Sequence, residues 1–414
     1  MSSASSGADT AWVDEAIKHL STLVDSDLPG WSRIGFSEQD AAARDWIHQQ
    51  MLELGLDVRT DPVGNVIGRL EGQDPNAPDI VIGSHSDTVP GGGRFDGIVG
   101  VVGALEVVRV LQRSNIRLRH GLRVVDFSNE EGNPQGIKLV GSRAVAGTLG
   151  PEALAASDEE GRTLAALMAS GGRSPQEVGS ARWNRRDIAA YLELHIEQGP
   201  RLEAAGASIG VVTRICGIST FVLDVHGRRD HAGTTPMSTR ADALCCAADA
   251  VLAVQRIAAS SDDGVGTVGA VTTTSPLTNT ISEEARVTGE FRSADETDLE
   301  ELLQTFAGTL PALDARHGTR TDLAWKMDPP AIMDEALSDL VAEAARRAGH
   351  DALRLYSGAT HDSVEMSAMA PSAMIFVPSV GGRSHCPEEW TDLADIGRGI
   401  DVLTQAVRLR DDLP

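Results

Sequence analysis

The stretch 79–97, Asp79-Ile-Val-Ile-Gly-Ser-His-Ser-Asp-Thr-Val-Pro-Gly-Gly-Gly-Arg-Phe-Asp-Gly97, constrains this chain more than any other. Ile80, Val81 and Ile82 form a short apolar run closed by Gly83 and Ser84, the pattern of a buried strand. His85 and Asp87 follow at its carboxyl end, and Asp96 closes a glycine-rich loop. Ligands of open α/β sheets bind just outside the carboxyl ends of the strands. One imidazole and two carboxylates placed there would begin a metal site. They would equally fit an ordinary polar strand end.

Apolar periodicity predicts helices over residues 8–26 and 38–55, the second with Ser37 as its N-cap and Gly55 at its end. Residues 57–70 read as two strands turning at 61–65, residues 98–110 as an apolar helix, and 121–127 as a strand running into Ser128-Asn-Glu-Glu-Gly132. Residues 150–190 read as helical and polar, and 191–196 as a strand. Strands alternating with helices predict a largely parallel, helix-flanked sheet. The pattern changes near residue 213. Strands at 220–225, 268–273, 284–291 and 320–326, with helices at 241–257 and 299–313, follow the β-α-β-β-α-β order of a ferredoxin-like module. After Pro329 the first pattern resumes, with a helix at 337–348, a strand at 373–377 and a helix at 393–409. The expected fold is α/β, a larger domain in two parts (1–212 and 329–414) carrying an inserted one (213–328).

Composition narrows the function. The formal net charge of −24 argues against a phosphate-backbone partner, so no nucleic acid is expected. No run of eighteen apolar residues exists, so no membrane span is expected. The opening Met-Ser-Ser-Ala-Ser-Ser-Gly7 lacks the basic start and apolar core of a secretory signal. Cys216, Cys245, Cys246 and Cys386 show no CxxC spacing, and a reducing cytoplasm is the expected location. Residues 264–269 fit GxGxxG but precede a strand instead of opening a helix, and Gly91-Gly-Gly93 lacks the Lys of a P-loop.

Potential ligands follow each predicted strand of the larger domain: His85, Asp87 and Asp96, then Glu130 and Glu131, then His195, and finally His385. A lone histidine near a strand end is more often structural, but these clusters all fall at one edge of one sheet. Imidazole and carboxylate donors without thiolates suit Zn, Mn, Co or Ni. A carboxylate can bridge two ions, and paired ions activate water and stabilise the oxyanion of its attack. In Glu130-Glu131 one carboxylate could ligate while its neighbour takes the proton from the water. The plain alternative is two solvated acids on a surface turn. Cys386 beside His385 would suit a thiol nucleophile only with a second free base, which is lacking.

These residues stand in motifs that resemble the di-metal M20 peptidase family. Within it they resemble the hydantoinase/carbamoylase branch of N-carbamoyl-L-amino-acid hydrolases, β-ureidopropionases and allantoate amidohydrolases. The matching segments are Gly83-Ser-His-Ser-Asp-Thr-Val89, Phe95-Asp-Gly97, Phe127-Ser-Asn-Glu-Glu-Gly132, Leu192-Glu-Leu-His-Ile-Glu-Gln-Gly-Pro200, Asp230-His-Ala-Gly-Thr-Thr-Pro-Met237, Ser357-Gly-Ala-Thr-His-Asp362 and Ser384-His-Cys-Pro387. The resemblance covers residues 10–410 and implies a di-metal aminopeptidase-like catalytic domain with an inserted ferredoxin-like α+β lid and dimerisation domain. By that resemblance His85 and His195 hold one ion, Glu131 and His385 the other, and Asp96 bridges them. Asp87 orients His85, and Glu130 is the general base. His231 reaches into the partner subunit's site of a homodimer to stabilise the oxyanion. Asn279, Arg292, Gln198, Gly358 and Ala359 contact substrate, and Asn279 and Arg292 serve the partner's site. A bidentate guanidinium at Arg292 suits the free carboxylate of a ureido acid. A strand-surface arginine, and for His231 a polar loop histidine, are the plain readings of the same residues.

The implied enzyme carries two divalent ions per subunit, zinc first and manganese, cobalt or nickel as alternatives. It cleaves the ureido C–N bond of an N-carbamoyl amino acid, N-carbamoyl-β-alanine, allantoate or ureidoglycolate. An M20-type peptidase or N-acyl-amino-acid deacylase is the alternative within the family. A non-catalytic metabolite-binding relative is the alternative outside enzymes, and the intact Glu130 argues against it. Three departures bear on substrate: Arg383 where an aliphatic residue is usual, Ser282 in place of a Pro, and Gly289-Glu-Phe-Arg292 for the usual Leu-Asp-x-Arg.

Overall fold

The strand Asp79–His85 is buried at every position, because both faces of the sheet around it are covered. The structure is a computed structural model describing residues 7–274 and 276–413. Seven neighbouring strands of the larger sheet run in the order Asp57–Thr60, Val66–Leu70, Leu122–Phe127, Asp79–His85, Ile188–Ile196, Ser372–Val377 and Ile209–Ile215, and Ala352–Ser357 also pairs with the last of these. The four strands from Leu122–Phe127 to Ser372–Val377 are mutually parallel, and the other pairs among the seven are antiparallel. Alternation sorts the side chains. Ile80 and Ile82 enter a core with Val101, Leu105, Ile400 and Leu403 from the helices Ile98–Arg113 and Leu393–Asp411. Val81 points the other way, toward Val125, Tyr191 and Met366. Ser37 caps the helix Glu38–Glu53 by accepting the Asp40 amide.

Two expectations need correction. Residues 150–190 are helical only in short pieces, chiefly Pro151–Ala155 and Leu164–Ser170, since the chain takes positive φ at Gly161 and Gly172. The helix Val140–Ala146 and the strands Ile209–Ile215 and Ala352–Ser357 were not foreseen.

The chain divides into two compact units: residues 1–213, 332–355 and 359–414, and residues 214–331 with 356–358. In the second unit the strand order is Arg320–Asp328, Gly217–His226, Glu284–Ser293, Val265–Thr273, with every neighbour antiparallel. That is the ferredoxin-like order. Phe221, Leu223, Val225, Val287 and Phe291 project from one sheet face. They pack on Ala250 and Val254 of the helix Ala243–Ala258 and on Leu299 and Phe306 of Glu296–His317. Asp242 and Asp295 cap the two helices. Among the described residues no helix is long and apolar enough to cross a membrane.

Candidate active site

The four parallel strands end side by side, so the residues that follow them meet. His85 and His195 are fully buried. Nδ1 of His195 donates to the Ile196 carbonyl (2.9 Å), and Nδ1 of His85 lies 3.1 Å from the Asp87 carbonyl. Both Nε2 atoms are thereby turned to one oxygen of Asp96, at 3.2 Å from His195 and 3.8 Å from His85. The other oxygen of Asp96 lies 3.2 Å from Nε2 of His385, which is 3.3 Å from Glu131 Oε1. The ligand atoms of His85, Asp96 and His195 lie within 4.8 Å of one another, and so do those of Asp96, Glu131 and His385. Asp96 belongs to both groups, one oxygen to each. A third group of Glu193, His195 and His361 is equally tight. Its Glu193 already accepts hydrogen bonds from Ser84 and Ser363.

The electrostatics suit a cation. Burial opposes ionisation of Asp96, yet His195 and His385 outweigh it and hold the carboxyl well below the usual carboxylate range. Hydrogen bonds to Asp96 and Glu131 push the His385 imidazole up to about 10. His195 rises to about 9 because Asp96 overcomes its burial. The carboxylates that raise these imidazoles would also favour a divalent ion at the same atoms, in competition with protons. Glu130 is held well above the usual range, first by burial and then by Glu131, Asp362 and Asp87. A buried carboxyl shifted in this way by like-charged neighbours is a feature of functional sites.

Asp87 meets the His85 ring chiefly through its main chain. Its carboxylate oxygen is 3.8 Å from the His85 ring, and the ring contact comes from its main-chain carbonyl. The carboxylate instead accepts the amides of Glu130 and Glu131, both at 3.1 Å. The turn between them and the strand runs through Asn129 at φ 52, a conformation that asparagine tolerates. Behind Asp87 the buried Arg44 guanidinium pairs with Asp40 (2.8 Å) and Asp126 (3.0 Å) and lies 3.7 Å from Asp87.

Gln198 lies inside this cluster, its Nε2 donating to Asp96 at 2.7 Å. Ala359 belongs to the same unit. His231, Asn279, Arg292 and Gly358 belong to the second unit. There His231 and Asn279 are exposed on adjoining segments, joined by the Ala232 amide donating to the Asn279 carbonyl (3.0 Å). Arg292 donates to Glu290 (2.7 Å) and to the Gly358 carbonyl (3.0 Å). Arg383 pairs with Glu388, so its charge is locally matched. The Ser282 hydroxyl bonds Thr273 and the Glu284 carbonyl, which a proline could not do. Among the described residues no cysteine forms a disulfide. Sequence reasoning missed Glu389, whose buried carboxylate accepts the amides of Phe95 and Asp96. The acidic Pro387-Glu-Glu-Trp390 just after His385 was its only signal.

The profile of peptidase family M20/M25/M40 matches residues 81–409. The chain belongs to this family. It is 37% identical over 402 residues to the N-carbamoyl-L-amino-acid amidohydrolase of Paenarthrobacter aurescens, covering 96% of this chain and 97% of that one. It is 34% identical over 410 residues to the ureidoglycolate hydrolase of Oryza sativa subsp. japonica, covering 96% and 84%. A solved amidase of the hydantoinase/carbamoylase family from Burkholderia multivorans superposes with a TM-score of 0.87 at 34% identity, covering 99% of this chain and all of that one. Family and branch are those that the motifs resemble.

Proposed function

We propose that this chain is a metal-dependent amidohydrolase that cleaves the ureido C–N bond of an N-carbamoyl amino acid or a related ureido acid. The observation that carries this reading is the position of Asp96, one carboxylate shared by two compact ligand groups. His85 and His195 would hold one divalent ion and Glu131 and His385 the other, with Asp96 offering one oxygen to each group. Zinc heads the candidates, ahead of manganese, cobalt and nickel. Two ions bound there supply Lewis-acid activation of water and neutralise charge on the attacked carbonyl.

Glu130 accepts the proton of the attacking water and returns it to the leaving nitrogen, a role that its raised affinity for protons supports. Asp87 keeps Glu130 and Glu131 apart in role by fixing both of their amides. In a cytoplasmic homodimer, His231 donates to the oxyanion in the partner's site, and Asn279 and Arg292 bind the substrate carboxylate there. The names and near-complete coverage of the two amidohydrolase relatives support the substrate class.

The test is ammonia release from N-carbamoyl-L-amino acids, N-carbamoyl-β-alanine, allantoate and ureidoglycolate, with the protein loaded in turn with Zn, Mn, Co and Ni. Release from one class supports the reading and identifies the substrate branch. Silence across the panel, with turnover of dipeptides or N-acyl amino acids, overturns it in favour of peptide or acyl-amide cleavage.

A further inference from the structure

The loop that carries Asp96 begins with Gly91, Gly92 and Gly93 and has little rigidity of its own. It is held from a segment almost three hundred residues away. Glu389 is 2% exposed. Its Oε1 accepts the amides of Phe95 (2.9 Å) and Asp96 (3.1 Å). Its Oε2 lies 2.6 Å from the Ser384 hydroxyl, which is in turn 3.0 Å from the Asp96 oxygen that faces His385. A Cβ on Gly93 would fall 2.2 Å from the Glu389 carboxyl carbon, so the loop lies directly on this side chain. Next to it Phe95 meets Trp390 edge-on (5.3 Å between ring centres), and the Arg94 guanidinium stacks between Trp31 and Trp390.

We propose that Glu389, acting with Ser384, is the positioning residue that fixes the Asp96 carboxylate between the two ligand groups. It holds the main chain of Asp96 through two amides and, through Ser384, ties that carboxylate to the segment that presents His385. Two amides converging on one buried carboxylate make charge-assisted hydrogen bonds, and without their acceptor both amides would be left buried and unpaired. The proposal rests on the two-ion reading. It gives the second group, Asp96, Glu131 and His385, the greater dependence on Glu389, since two of its three members are held by the clamp.

Full-length wild type, E389Q and S384A are titrated with Co2+, following heat by calorimetry and coordination by visible absorption, with circular dichroism as the check on folding. E389Q keeps an oxygen for the two amides but turns a donor toward Ser384, whereas S384A leaves the amide clamp and removes both contacts of the Ser384 hydroxyl, to Glu389 and to the Asp96 carboxylate. The expected result is a folded E389Q that binds a first ion normally and a second about 10–100-fold more weakly, with an altered absorption band. S384A moves in the same direction by less. Wild-type affinities and spectrum in folded E389Q overturn the proposal, and if E389Q does not fold, the same result in S384A does. Fewer than two ions on the wild type would instead overturn the two-ion reading on which it rests.

Discussion

Glu130 and Gly97 show how narrowly single positions are specified. Glu130 belongs to neither ligand group, and in the proposed reading its part is that of proton acceptor. Glu130→Gln is therefore expected to keep both ions by elemental analysis while turnover falls by about 10²–10⁴-fold. Normal turnover in that variant would remove Glu130 from the base role. Gly97 lies at φ +66 just before the helix Ile98–Arg113, and a Cβ there would fall 2.4 Å from the His85 ring. Gly97→Ala should displace that ring and lower the ion content to about one per chain, readable by the same analysis. At this scale the sequence was legible in which side chains come together, as for His85, His195 and Glu131. It was silent where the role is to accept main-chain amides. Glu389 serves a loop distant in sequence, and Asp87 uses its carboxylate on two amides and its carbonyl on a ring.

Elements dock on this sheet through polar anchors as well as apolar faces. Arg44, on the helix Glu38–Glu53, enters the sheet edge and meets Asp40, Asp126 and Asp87, and it also donates to the Phe127 carbonyl. Arg44→Met would strand three buried carboxylates and should cost about 3–5 kcal/mol in urea unfolding, as for breaking a buried ion pair. Unchanged stability would show that the aspartates are neutralised by other means. Buried parallel strands such as Asp79–His85 and Ser372–Val377 were legible because they are unbroken apolar runs. Ile209–Ile215 was not, because it passes into Gly217–His226 with only Cys216 between and no turn signal. Val140–Ala146 starts at Leu139 with φ 57 and no capping side chain, so nothing announced it. Ala352–Ser357 exposes Leu353 and Arg354 and lacks the alternation of a half-buried strand.

At the scale of the whole molecule the homodimer reading makes a quantitative demand. If His231 serves the partner's site, inactive Glu130→Gln and His231→Ala chains should complement when mixed and allowed to exchange. A mixed dimer has one site with both groups intact, so about a quarter of wild-type turnover should return, as two-fold symmetry dictates. No recovery on confirmed exchange would place His231 outside the partner's site. The two units also differ in how their cores are spaced along the chain. The second draws on residues from Phe221 to Leu310, one continuous span. The first joins Val13 and Leu20 to Ile400 and Val407, segments far apart in the sequence. On the ribosome, the second unit's core is therefore complete in sequence while the first still awaits its closing helix. His385 is made after every other member of the two ligand groups, so a nascent chain that stops short of it offers no finished pair of ligand groups to the ions around it.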